Sequence, residues 1–262
     1  MTPPHAAAIL SAHPKSWKQL MHREQLAGLN CVLDGPTETP MAVAVFCHGF
    51  GAPGTDLVPL GGALTEYLGE AAEQILFVFP TAPLSLDDLG MPGGRAWWPI
   101  DMVKLQMLMA TGDFRNLRDE APARLPEMTA LLTGLLTEIG RRTGLPNSRM
   151  TLGGFSQGAM LSTDVALHLA ERPGGLIAWS GTLLNESEWT RASSQGTKLR
   201  VVQSHAVDDP ILPYSGAEAL RDLLTRDGHA VEFLRFRGGH TIPEPAIAAA
   251  ARLIADVASP AK

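Results

Sequence analysis

The sequence predicts an α/β fold: a doubly wound, mainly parallel sheet flanked by helices. Three observations carry this. Continuous apolar runs at 41–47 and 74–80 have strand length and lack the alternation of a half-exposed strand, as strands covered on both faces do. Such runs alternate with segments of helical period along the whole chain. Glycine-rich or acidic loops directly follow several of the strands, where open α/β sheets bind ligands.

Chain length and composition set the frame. With 262 residues, 45% hydrophobic and 18% charged, the chain can bury a sizeable core and is not disordered. One domain over 1–262 is expected, with a loose lead-in over about 1–18 and a long insertion over about 81–124. A net charge of -6 and the lack of a basic run argue against a nucleic-acid partner. No apolar stretch approaches the length of a membrane span, and residues 1–18 lack the apolar core of a signal peptide, so stable membrane insertion is not expected. A hairpin centred on Thr37 would set Cys31 opposite Val43 and Cys47 opposite Ala27. The two cysteines are therefore expected to be reduced, buried thiols, consistent with a cytoplasmic protein.

Taken in order, residues 29–33 are a strand, and Asp34-Gly35-Pro36 begins a turn region running to Pro40. The strand at 41–47 ends abruptly in His48-Gly49-Phe50-Gly51-Ala52-Pro53-Gly54. A helix at 57–68 and a buried strand at 74–80 follow. From Thr81 to about Arg124 the pattern breaks, with Pro83, Pro92, Gly93, Gly94, Trp97, Trp98 and a run from Met102 to Met109. Long connections inside compact domains are usually functional. The helical part of this one is either a core helix or a lid whose tryptophans and methionines form an acyl-binding wall, with Trp97, Trp98, Met107 and Leu108 as candidates.

Leu125, Met128, Leu131, Leu132, Leu135, Leu136 and Ile139 mark an amphipathic helix that ends near Gly144. Strands are predicted at 150–152, 175–181, 199–203 and 231–236, and helices at 159–169, 217–225 and 243–257.

The chemistry centres on Gly154-Phe155-Ser156-Gln157-Gly158, between a strand and a helix. A turn this tight needs glycine two residues either side of the serine, and it leaves the hydroxyl exposed above the sheet. A bare Gly-x-Ser-x-Gly is short enough to occur by chance as an ordinary glycine-rich turn. A serine hydroxyl also needs a base, and the base a third group to orient it. The chain supplies Asp208-Asp209 after one later strand and His240 after the last. Singly, the first is an ordinary Asp-Pro turn and the second a turn histidine. Together they give the order Ser, acid, His, each just past a strand, which is the order of α/β-hydrolases.

These residues resemble the phospholipase/carboxylesterase group of α/β-hydrolases, which includes bacterial carboxylesterases and acyl-protein thioesterases. The matching pieces are His48-Gly49-Phe50-Gly51, Pro80-Thr81-Ala82-Pro83, Ala96-Trp97, Gly154 to Gly158, Asp209-Pro210 with Pro213, and Gly239-His240-Thr241-Ile242-Pro243, in family order from about Val32 onward. The resemblance implies Ser156 as nucleophile, His240 as general base and acid, and Asp209 as its orienting carboxylate, with Asp208 the runner-up. It implies an oxyanion hole from the backbone N–H groups of Phe50 and Gln157, with His48 and His205 structural. The chain departs from the family at Gly51-Ala52-Pro53-Gly54, where Gly-Asp is usual after His-Gly-x, at His205-Ala206, where His-Gly is usual, and in a longer 84–124 segment.

The expected function is therefore a serine carboxylesterase acting on small-molecule esters with an apolar acyl part, through an acyl-enzyme intermediate. An acyl thioesterase or lysophospholipase on the same fold is the alternative, and a hydrolase-fold binding protein without catalysis is the reading from another class. No cofactor is expected, and no closely spaced His/carboxylate set suggests a metal. A homodimer is compatible with the chain.

Overall fold

The computed structural model describes residues 21–101, 118 and 121–259. The lead-in and the Met102–Met109 run, with Met107 and Leu108, lie outside the described residues.

The seven predicted strands and one further edge strand assemble into one eight-stranded sheet. In chain order its members are β1 (His22–Leu26), β2 (Leu29–Asp34), β3 (Ala42–Cys47), β4 (Ile75–Pro80), β7 (Met150–Phe155), β8 (Gly175–Trp179), β9 (Arg200–Ala206) and β10 (Ala230–Phe236). Two short strands, β5 (Leu84–Ser85) and β6 (Arg95–Ala96), pair with each other in a separate ribbon. The large sheet runs β1-β2-β4-β3-β7-β8-β9-β10, and every pairing from β4 to β10 is parallel.

The flanking helices are α1 (Val58–Leu68), α2 (Leu125–Thr143), α3 (Gln157–His168), α4 (Glu186–Ser194), α5 (Tyr214–Arg226) and α6 (Glu244–Ala258). Strand alternation sorts side chains to two cores. Val43, Val45 and Cys47 face one side with residues of α2, α3, α4 and α5, while Ala42, Ala44 and Phe46 face the other with residues of α1 and α6. Every residue of β3 and β4 is buried, which explains why those runs carry no polar alternation.

One expectation about the sheet is corrected. β2 does not form a hairpin with β3; it pairs antiparallel with β4, setting Cys31 opposite Pro80. The turn region near Thr37 instead carries the chain past the β4 position, because β4 returns beside β3 through the α1 crossover. The hairpin partner of β2 is β1, unpredicted because its HREQL sequence lacks an apolar pattern and lies at the sheet edge. Its tight turn, Ala27-Gly28, has both residues at positive φ, as a two-residue hairpin loop requires. Both cysteines are free and buried, and burial pushes each thiol up to about 12.

Because β3 to β10 run parallel, the loops after β3, β7, β9 and β10 leave from one rim of the sheet. From β3 the chain moves to β4 on one side, and from the β4 side it later crosses over β3 to place β7 on the other. This reversal opens a crevice at the carboxyl ends of β3 and β7, where such sheets bind ligands.

Candidate active site

Ser156 directly follows β7 and stands at the N-cap position of α3 with φ 55° and ψ -117°, a conformation L-residues rarely adopt. Its N–H donates to the Trp179 carbonyl of β8 at 2.9 Å, which ties the turn to the sheet. The glycines around it have a measurable reason. A Cβ on Gly154 would stand 2.5 Å from the Cys47 carbonyl oxygen and 2.6 Å from the Gly158 carbonyl carbon. One on Gly158 would stand 2.0 Å from that same Cys47 oxygen. The turn therefore packs against the backbone of β3 with no room for a methyl group. Ser156 is half-buried, and among the described residues its Oγ makes no hydrogen bond.

The acidic loop after β9 and the histidine loop after β10 meet. His240 Nδ1 lies 2.6 Å from Asp209 Oδ2, and the Asp209 side chain is fully enclosed. Asp209 Oδ1 accepts the N–H groups of Ile211 at 2.8 Å and Leu212 at 3.0 Å. Burial alone would raise the pKa of this carboxyl. The His240 hydrogen bond and charge, helped by the two N–H donors, outweigh it and hold Asp209 below the ordinary aspartate range. Asp209 is thus ionised, and its hydrogen bond puts the His240 proton on Nδ1, leaving Nε2 as the basic nitrogen. The Phe155 ring packs against the imidazole, with centroids 4.7 Å apart.

Asp208, the other acidic candidate, does different work. Its Oδ1 accepts the N–H groups of Gly238 and Gly239 at 3.1 and 3.3 Å, so it braces the backbone of the histidine loop. Thr241 anchors that loop from the other side through its carbonyl, which accepts the Ser180 hydroxyl at 3.1 Å.

His205 and His48 are both buried and neutral. Burial lowers the pKa of His205; its Nε2–H donates to the Leu212 carbonyl at 2.9 Å and faces Asp209 Oδ2 at 3.4 Å. Burial pushes His48 down to about 4. Its Nε2 accepts the Ala82 N–H at 3.1 Å, so Nδ1 carries the proton and donates to the Gly49 carbonyl at 2.8 Å.

The loop after β3 abuts the serine turn: a Cβ on Gly49 would stand 3.3 Å from Ser156 Cβ. Among the turn and loop hydrogen bonds of the described residues, neither the Phe50 nor the Gln157 N–H is spent on a protein acceptor. Gln157 opens α3, where the first N–H groups have no intrahelical partner and the helix dipole favours negative charge. An oxygen gaining charge beside Ser156 would find donors of this kind.

Trp97 and Trp98 occupy a different place from the one their composition suggests. They are 0% and 4% exposed, so neither offers an open pocket wall. A buried indole N–H needs an acceptor, and that of Trp97 donates to the His48 carbonyl at 2.9 Å, behind the Phe50 loop. Apolar surface near that loop comes instead from the β5–β6 connection. Met91 Sδ would lie 3.6 Å from a Cβ on Gly51, and Leu89 at the same bend is 62% exposed. The sequence offered no signal for Met91, because only the ribbon's pairing brings it over the loop.

The family model described as Phospholipase/Carboxylesterase matches residues 30–257. An acyl-protein thioesterase 1 from Eremothecium gossypii is 29% identical over 184 residues, covering 69% of this chain and 72% of that protein. Among solved structures, esterase PE8 superposes with a TM-score of 0.70 at 23% identity, covering 91% of this chain and 99% of that one. A carboxylesterase from Mesorhizobium loti superposes with a TM-score of 0.68 at 19% identity, covering 90% and 99%. The two structures share the fold, and the family match spans nearly the whole described chain. The chain belongs to the phospholipase/carboxylesterase family of α/β-hydrolases, and with it to the serine ester hydrolases.

Proposed function

We propose that the protein hydrolyses small-molecule carboxylic esters with an apolar acyl part, with Ser156 as nucleophile, His240 as general base and acid, and Asp209 as its orienting carboxylate. The observation that carries this reading is the 2.6 Å pairing of His240 with the enclosed Asp209, on the same rim as Ser156 at φ 55°. In this mechanism His240 Nε2 takes the proton as Ser156 Oγ attacks the ester carbonyl, and Asp209 stabilises the imidazolium. The Phe50 and Gln157 N–H groups receive the charge that grows on the carbonyl oxygen. Donors of this kind are worth about 3–4 kcal/mol each in comparable enzymes. The alcohol leaves with the proton, and water activated by His240 then releases the acyl group from Ser156.

The test replaces Ser156 with Ala and measures hydrolysis of p-nitrophenyl esters from acetate to palmitate. Turnover should fall to background for every ester, and a fluorophosphonate probe should label the wild type but not S156A. Retained turnover in S156A would end the reading, while a wild type that stays unlabelled would favour a binding protein without catalysis.

A second reading, acyl thioesterase, is favoured by the relative named acyl-protein thioesterase 1. An acyl thioester assayed beside its oxoester separates the two, since the same machinery serves both and only the ratio of kcat/KM values differs.

A further inference from the structure

Behind the two candidate oxyanion donors lies a buried circuit that joins them. The Gln157 carboxamide reaches away from its own helix to the segment after β6. Its Oε1 accepts the Trp97 N–H at 2.8 Å, and its Nε2 donates to the Trp98 carbonyl at 2.9 Å. The same Trp97 sends its indole N–H to the His48 carbonyl at 2.9 Å, and its ring packs on the His48 imidazole with centroids 5.7 Å apart. His48 and Gln157 are 1% exposed and Trp97 0%, so these bonds form in a dry environment. The next residues of the loop are held by the same segment: Gly51 N–H donates to the Arg95 carbonyl at 2.9 Å, and Arg95 N–H to the Ala52 carbonyl at 3.1 Å. Phe50 therefore sits between two points, His48 and Gly51, that are both fastened to residues 95–97.

We propose that the Gln157 side chain and Trp97 are positioning residues that set the span between the Phe50 and Gln157 N–H groups. This rests on the reading of those two groups as the oxyanion hole. One residue, Gln157, supplies a donor through its backbone and fixes the opposite donor through its side chain. The path runs from the carboxamide to Trp97, from its indole to His48, and on to the loop. A loop otherwise free to shift on its glycines is thereby held in register with the serine turn. A displacement of about 1 Å at such a site costs on the order of 100-fold in rate.

The test is Trp97→Phe, which keeps an aromatic ring and the backbone N–H to Gln157 but deletes the bond to His48. A wild-type enzyme inhibited by an acyl trifluoromethyl ketone, which forms a tetrahedral adduct, is the reference. In W97F, kcat should fall roughly 10- to 100-fold with KM changed less than about threefold. The inhibition constant of the ketone should rise by the same factor as kcat falls, while that of an uncleavable ether analogue and the pH midpoint of kcat/KM stay put. A merely structural role would not produce that split. Should W97F fail to fold, Gln157→Met, which deletes the carboxamide bonds, is measured in the same way. Either variant with unchanged ketone affinity, or with a loss confined to KM, overturns the proposal. A wild type that neither reacts with a fluorophosphonate nor binds the ketone overturns the underlying oxyanion reading itself, a different result from the first.

Discussion

Replacing Asp209 with Asn tests the assignment of the acid most sharply, because the surrounding bonds dictate how the amide must sit. Asp209 Oδ1 accepts two backbone N–H groups, from Ile211 and Leu212. An amide nitrogen placed there would oppose both donors, so Asn keeps its oxygen at that position and turns its NH2 toward His240. His240 Nδ1 must then accept, its proton moves to Nε2, and the nitrogen facing the serine side can no longer act as a base. The NH2 also meets the His205 Nε2–H across the present 3.4 Å contact, which adds repulsion. A wrong tautomer of this kind costs about 10,000-fold in a serine protease triad, or ~5.4 kcal/mol of transition-state stabilisation. D209N should therefore lose about 1,000- to 10,000-fold in kcat for a short p-nitrophenyl ester, with KM little changed. The control is Asp208→Asn. Its Oδ1 accepts only the Gly238 and Gly239 N–H groups, a task the amide oxygen retains, and activity should stay within about threefold of wild type. If D209N kept activity within tenfold of wild type, or if D208N proved the worse variant, Asp209 would not be the orienting carboxylate.

Other expectations follow from single contacts. Gly158→Ala should destabilise by more than about 3 kcal/mol or prevent folding, because the new methyl meets the β3 backbone at 2.0 Å; a urea melt matching wild type would contradict the packing. Gly90→Ala, where nothing stands within 4 Å, should cost only the strain of its φ of 74°, about 1 kcal/mol in the same melt. Burial pushes His229 and His48 down to about 4, so the unfolded chain takes up their protons first as pH falls. Stability from this source is complete above about pH 6.5 and declines toward pH 4, by about 3 kcal/mol per histidine. His229→Asn, which can still accept the Leu199 N–H now bound at 2.8 Å, should show a correspondingly shallower loss between pH 7 and pH 4; parallel curves would refute it. Met91→Asp should lower kcat/KM for long acyl esters about tenfold more than for acetate, and a uniform loss across chain lengths would separate Met91 from the acyl site.

Much of the fold was legible because periodicity reports burial directly. The runs at 41–47 and 74–80 are apolar throughout because β3 and β4 are buried on both faces, and a parallel sheet follows from their alternation with helices. β1 was illegible for the converse reason: an exposed edge strand has no face to pattern. The pairing of β2 is not legible in the sequence, because proximity along the chain favours a hairpin whereas the α1 crossover brings β4 in from farther along. Local motif also identified residue types at the rim, since a strained serine turn demands glycine at fixed offsets and loops after parallel strands share one edge.

Partners across the rim were not in the sequence. Asp208 and Asp209 are adjacent and chemically alike, and only the meeting of the β9 and β10 loops sends one to an imidazole and the other to backbone N–H groups. The tryptophan pair reads as pocket wall by composition. Tertiary packing turned Trp97 inward instead, because its indole N–H finds an acceptor in the His48 carbonyl while Gln157 clasps its backbone. By itself the sequence determined the parallel α/β framework and the order of the chemical groups along it, since both follow from local patterns of burial and turn geometry. Which side chain bonds to which was decided by the tertiary structure, because a hydrogen bond depends on angstrom distances between residues dozens of positions apart.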